Sequence, residues 1–175
     1  MDYRYDISTF NTDGSVNVVV EIPKGAHNKY EIDPSKGDKL TIVRTLNKGF
    51  LGYRDYKYIF NYGFIPNTEA PDHDQLDAII IADEAIDPLT VLKCKVVGVI
   101  HTIDDGEQDD KILVVPVYST QKSFDLNKIL KFLRNYKYPR QSGTIIGDVL
   151  GAADAIKTIN ECRLYMKKSE TNENK

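Results

Sequence analysis

The sequence predicts an α+β protein in which a closed or nearly closed antiparallel β-barrel is followed by two helices. Three observations carry this reading. Short runs of β-branched and aromatic residues, parted by turn residues, fill roughly the first two thirds of the chain. A 3.6-residue apolar period begins only at Leu126. No linker, internal repeat or low-complexity tract divides the two halves, so residues 1–175 are expected to form one domain with a sizeable core.

The first strand is expected at 16–22, where Pro23 stops the ladder and parity sets Glu21 with Val19 and Asn17, opposite Val18, Val20 and Ile22. Residues 29–32 alternate, which puts Lys29 and Glu31 on one face, and 40–44 is a third strand. A tyrosine-rich segment with Tyr53, Tyr56, Tyr58 and Tyr62 follows, its rings expected to pack with their hydroxyls at the edge. Next comes the apolar run 78–81, then strands at 93–100 and 111–117. Asp105-Gly106 between the last two favours a tight reversal, and Asp109 and Lys111 point to the same side as the next strand begins. Leu126, Ile129, Leu130, Leu133 and Tyr136 make the first helix stripe, with Ser123 or Asp125 as N-cap and Pro139 beyond its end. A short strand at 143–146 precedes a second helix from about Ala152, with Ala155, Ile156, Ile159 and Met166 on one face.

Two turns are dense in carboxylates. Asp72, Asp74 and Asp77 fall within six residues and run straight into the strand at 78–81. Three like charges this close are tolerated when well solvated, when some are protonated, or when a cation neutralises them. A solvated acidic turn and a metal site are both open on these residues alone. An EF-hand is excluded, because Leu76 stands where a ligand is needed and Asp77 where the turning glycine belongs. The second turn carries Asp104 and Asp109 and reads as a polar hairpin tip or as the source of further ligands for one shared site. Carboxylates suit hard cations such as Mg²⁺, while Lys29, Arg44 and Lys111 with tyrosine hydroxyls suit phosphate oxygens. That mixture suits metal-dependent phosphoryl transfer to water, since no serine, cysteine or histidine stands in a nucleophile setting and no P-loop glycine pattern occurs.

The formal charge of −3 and the lack of a basic run argue against general nucleic-acid binding. Cys94 and Cys162 have neither metal-ligand spacing nor the makings of a disulfide framework. No stretch approaches the ~20 apolar residues of a membrane-spanning helix, and the first residues lack the features of a signal peptide. A cytoplasmic location is the expectation.

Read in order, Val20-Glu21-Ile22-Pro23, Lys29-Tyr30-Glu31-Ile32, Asn61-Tyr62-Gly63-Phe64-Ile65-Pro66, Asp72-x-Asp74-x-x-Asp77, Asp104-x-Gly106-Glu107-x-Asp109-x-Lys111 and Asn135-Tyr136-Lys137 resemble the family I soluble inorganic pyrophosphatases over about residues 16–165. The resemblance implies an antiparallel OB-like β-barrel flanked by two helices in the C-terminal half, and Mg²⁺-dependent hydrolysis of pyrophosphate to two phosphates. It implies several Mg²⁺ ions held by Asp72, Asp77, Asp104, Asp109 and Glu21, with Asp74 as the base that takes a proton from a metal-bridging water. Lys29, Arg44, Tyr136 and Lys137 match the grip on the phosphates and Tyr62 a hydroxyl close to the nucleophile, while Glu31, Tyr58 and Lys111 match further polar groups of the cavity. The chain's short length resembles the prokaryotic form, for which a homohexamer is expected, with no nucleic-acid or membrane partner.

The acidic motif departs from that pattern at His73, where a small or polar residue is usual, and at Gln75, where proline or glutamate is usual; Val43 replaces a usual acid. His73 reads as a solvent-facing bystander or as a group that alters the pH optimum. Two other functions compete: a Mg²⁺ hydrolase of nucleotides or polyphosphate, and a barrel that stacks single-stranded nucleic acid on its tyrosines.

Overall fold

A computed structural model describes residues 1–33, 36–37, 39–45, 57–120, 123–136 and 144–164, with 43–45 described by backbone alone. The chain runs through β1 (Val16–Ile22), β2 (Asn28–Asp33), β3 (Lys39–Thr45), β4 (Asn61–Phe64), β5 (Asp77–Ile80), β6 (Val91–Asp104), β7 (Glu107–Gln108), β8 (Lys111–Pro116), α1 (Leu126–Asn135), β9 (Ile145–Gly151) and α2 (Ala152–Cys162). This is a mixed, sheet-rich α+β architecture. β2 and β3 form a separate two-stranded sheet, and the other strands form one sheet of seven.

Pairing in the large sheet runs β1–β4–β5–β8–β6, and β6 pairs in turn with β1. A circuit of five strands cannot alternate direction all the way round. One pair must be parallel, and it is β5–β8, with Asp77 opposite Lys111. The all-antiparallel expectation is corrected at that pair. No local pattern marks it, because a parallel neighbour has to arrive by a long connection.

β5 and β8 are covered on both faces, which is why their sequences read as unbroken apolar runs. Ala78, Ile80, Ile112 and Val114 pack in one cluster with Ala155 and Ile159 of α2. Ile79 and Leu113 pack in another with Ile129, Phe132 and Leu133 of α1. Asp77 and Lys111 share the parity of Ile79 and Leu113, so the strand register itself delivers both charges to the α1 side.

α1 starts where its carboxylate cap predicts: Asp125 is extended, and its side chain accepts from the Lys128 N–H. Phe132 stacks on Tyr136 at 5.0 Å and meets the edge of Phe60 at 5.1 Å, fastening the helix end to the strand that carries Tyr62. In α2, Ile156 is turned to solvent, while Met166 lies outside the described residues. β9 begins at Ile145 and is longer than the short strand expected at 143–146. Its largely exposed residues, broken by Gly147 and Asp148, carry no clean apolar alternation, and pairing with β6 holds it.

Gly63 brings β4 against β1. A Cβ there would stand 1.8 Å from the Val19 carbonyl oxygen, and backbone cannot yield as a flexible side chain can. Gly63→Ala is therefore expected to cost about 3 kcal/mol or more, measured by urea denaturation.

Candidate active site

At one end of the sheet the acidic loop, the β6–β8 turn, β1 and β2 converge on a cavity of about 410 Å³. Its wall carries Glu21, Glu31, Asp72, Asp74, Asp77, Asp104 and Asp109, against Arg4 and Lys29. Lys111 stands just behind, ion-paired with both Asp77 and Asp109. Among the described residues, seven carboxylates face three cations here.

The acidic loop is held chiefly by bonds to its backbone N–H groups. Leu76, 1% exposed, sinks into the core and anchors the loop's far end. Thr68 Oγ1 accepts from the Leu76 N–H at 2.9 Å, and the Ala70 N–H donates to the Asp74 carbonyl at 2.8 Å. The Asp74 N–H in turn donates to Asp72 Oδ1 at 3.2 Å. These bonds leave the Asp72 and Asp74 carboxylates facing the cavity. His73 takes the left-handed conformation (φ 68°), one that histidine adopts more readily than most residues, and points outward, 3.2 Å from Glu69. With its side chain 86% exposed, it matches the bystander reading. His73→Ser is expected to leave the pH–rate profile unchanged.

Asp77 receives the Tyr62 hydroxyl at 2.5 Å and the Lys111 ammonium. Burial alone would raise its carboxyl, but Lys111 and Lys29 outweigh burial and hold it low. Asp109 goes the other way, raised by burial and by Asp77, with Lys111 offsetting only part of the shift. Asp74 is also raised, first by burial and then by Asp72, Glu31 and Asp77. Lys29, 2.6 Å from Glu31, stays charged because Asp77 and Glu31 overcome the cost of its burial. The shared face of Lys29 and Glu31 is as the alternation predicts.

Glu21 sits where the β1–β4 register slips between Val20 and Ile22, and it accepts from the Ile32 N–H at 3.2 Å. Burial, aided by Asp77, pushes its carboxyl up to about 8 from an ordinary 4.5. In metal-free protein the folded state thus holds a proton that the unfolded chain releases near pH 4.5. Stability is expected to fall as pH rises from about 5 to 8, by on the order of 4 kcal/mol from Glu21 alone, and Glu21→Gln is expected to remove that share of the slope. Urea titrations in chelator at several pH values measure it.

Of the residues expected to hold phosphate, Lys29 lines the cavity, Tyr62 touches its wall at Asp77, and Tyr136 interacts electrostatically with both. Arg44 is paired with Lys29 in the β2–β3 ladder, but its side chain is outside what is described. Lys137 lies outside the described residues. Sequence reasoning missed Arg4, which reaches the cavity from an N-terminal segment without periodicity and is clasped by Asp2 at 2.8 and 3.1 Å.

The all-oxygen donor set and the upward shifts at Glu21, Asp74 and Asp109 fit hard divalent cations. Among the described residues no three His, Cys, Asp or Glu side chains are gathered tightly enough to enclose one. Mg²⁺ does not need such a cage, since it is commonly held by one or two carboxylates with waters and substrate phosphates.

Fold and cavity together define a class, a mixed-sheet protein with a carboxylate-walled cleft. The family model described as inorganic pyrophosphatase matches residues 18–167, and the chain belongs to that family, whose members are hydrolases. An inorganic pyrophosphatase of Synechocystis is 35% identical over 162 residues, covering 85% of this chain and 90% of its own. One from Sulfolobus acidocaldarius is 34% identical, covering 90% and 93%. The crystal structure of an inorganic pyrophosphatase from Neisseria gonorrhoeae superposes with a TM-score of 0.79 at 29% identity, covering 92% of this chain and 96% of that one.

Proposed function

We propose that this chain hydrolyses inorganic pyrophosphate to two phosphates with Mg²⁺, using Asp74 as general base. The observation that carries the reading is the cavity, which Asp72, Asp74 and Asp77 line together with Lys29. Asp72, Asp77, Asp104, Asp109 and Glu21 would hold the cations. Bound Mg²⁺ would neutralise phosphate charge and make water a stronger acid. Lys29, Arg44, Tyr136 and Lys137 grip the phosphates, and Tyr62 steadies the Asp77 carboxylate beside the reacting centre. Water attacks one phosphorus, Asp74 takes its proton, and the bridging oxygen leaves with the other phosphate. The raised carboxyl of Asp74 supports this role, because a base works best with a pKa drawn toward the operating pH.

Ile32 and Phe64 are the only apolar side chains among the described lining residues, which gives a nucleobase little to stack on. Nucleotides are therefore poorer substrates in this reading, and the carboxylate wall disfavours a nucleic-acid backbone. Phosphate release from pyrophosphate, ATP and tripolyphosphate under Mg²⁺ tests it, with pyrophosphate expected to be fastest by far. Equal rates on all three would replace it with a general phosphohydrolase.

The five-strand pairing circuit supports an OB-like barrel within a single domain of 1–175. A homohexamer in the cytoplasm completes the proposal. Among the described residues no helix is long and apolar enough to cross a membrane.

A further inference from the structure

The turn that carries Asp104 and Asp109 is held by a polar cluster centred on the buried Thr102 and Asp110. The β6–β8 ladder has its last registered pair at Ile100 and Lys111. Beyond it, the chain is joined by Thr102 and Asp110. The Asp109 N–H donates to the Thr102 carbonyl at 2.9 Å, and the Thr102 hydroxyl donates to the Asp109 carbonyl. The Thr102 N–H donates at 3.2 Å to Asp110 Oδ1, a carboxylate standing in for a ladder carbonyl.

Asp110 is 3% exposed, so its carboxylate needs donors. Oδ2 receives them from Gln108 Nε2 at 2.8 Å and His101 Nδ1 at 2.8 Å. The β6–β9 register shifts between Ile100 and Thr102, which leaves His101 out of that ladder. Asp109 is thereby fixed through its own N–H, its own carbonyl and the side chain of the next residue. Asp110 faces away from the cavity that Asp109 lines.

We propose that Asp110, with Thr102, His101 and Gln108, is a positioning residue that aims the Asp109 carboxylate and thereby sets the divalent-cation affinity of the site. The inference rests on the reading above of Asp109 as a cation ligand. Residues that orient a ligand commonly change metal affinity by about 10–100-fold when removed. The cluster has a diagnostic property. An asparagine at 110 can keep Oδ1 for Thr102 and present its NH₂ where Oδ2 stood. His101 can answer with its other tautomer and Gln108 by turning its amide over. A positioning role therefore survives Asp110→Asn but not Asp110→Ala.

Calorimetric titration of Mn²⁺ into the substrate-free chain tests this. Asp110→Ala is expected to bind about 10–100-fold more weakly, and Asp110→Asn within about threefold of wild type. The Mg²⁺ concentration for half-maximal activity should rise in parallel for Asp110→Ala, with kcat at saturating Mg²⁺ little changed. If Asp110→Ala does not fold, Thr102→Val, which keeps shape and loses only the hydroxyl bond, carries the test and is expected to weaken Mn²⁺ binding about tenfold. Unchanged binding by Asp110→Ala, or by Thr102→Val in its place, overturns the inference. A loss in Asp110→Asn equal to that in Asp110→Ala also overturns it, because charge rather than aim would then be acting. If the wild type itself binds no cation, the reading of Asp109 as a ligand falls and the positioning role falls with it. If the wild type binds and Asp110→Ala binds equally, only the positioning role is lost.

Discussion

Asp74→Asn is expected to lower the rate of pyrophosphate hydrolysis by about 10²–10⁴-fold, the span that a general base contributes. The substitution removes the proton-accepting oxygen and little else. The loop's backbone bonds at 70, 74 and 76 do not involve the Asp74 side chain, so the loop keeps its shape. The Asp72 and Asp77 carboxylates also remain. Mn²⁺ binding should accordingly stay within a few-fold of wild type, which separates a lost base from a lost ligand. Steady-state kinetics beside calorimetry make the distinction; a rate within threefold of wild type would remove Asp74 from the chemistry.

The second large effect is on stability. Lys111 is 2% exposed and neutralises two carboxylates at once. Lys111→Met keeps the length of the side chain and leaves Asp77 and Asp109 facing each other without the ammonium that pairs with both. Removing one partner from a buried ionic group costs about 3–5 kcal/mol, and the partial exposure of the two carboxylates places this case near the lower end. The loss should be greatest in chelator at pH 7–8, where both groups are pressed to ionise. Saturating Mg²⁺ should recover a good part of it, because a ligand that binds only the folded state stabilises it. Urea unfolding with and without Mg²⁺ measures both quantities, and equal losses in the two conditions would mean that no cation stands near this pair.

Features set by local geometry were legible beforehand. Strand alternation is enough to put Lys29 beside Glu31 and Asp109 beside Lys111, and the ion pairs follow. The cap at Asp125 and the reversal at Asp105-Gly106 are equally local, the latter through two residues of positive φ. Features made by distant segments were not legible. Nothing near residue 77 announces residue 111 as its parallel neighbour, so the ion pair between Asp77 and Lys111 needed the fold. Arg4 comes to the cavity because Asn67 grips its segment, donating its N–H to the Arg4 carbonyl and its amide to the Tyr5 and Ile7 carbonyls. Nothing local sets Asp110 apart, because it follows Asp109 in an acidic tip that reads as a polar hairpin or as a source of ligands. Parity turns the two to opposite sides, one into the cavity and one into a polar network with Thr102 and His101.

Phosphate release from pyrophosphate by the unmodified chain, measured in chelator and again in millimolar Mg²⁺, is the most direct test of metal-dependent hydrolysis at this cavity. Release is expected only with Mg²⁺, at a rate that saturates as the cation is raised. No release in either condition, or equal release without the metal, would contradict that mechanism.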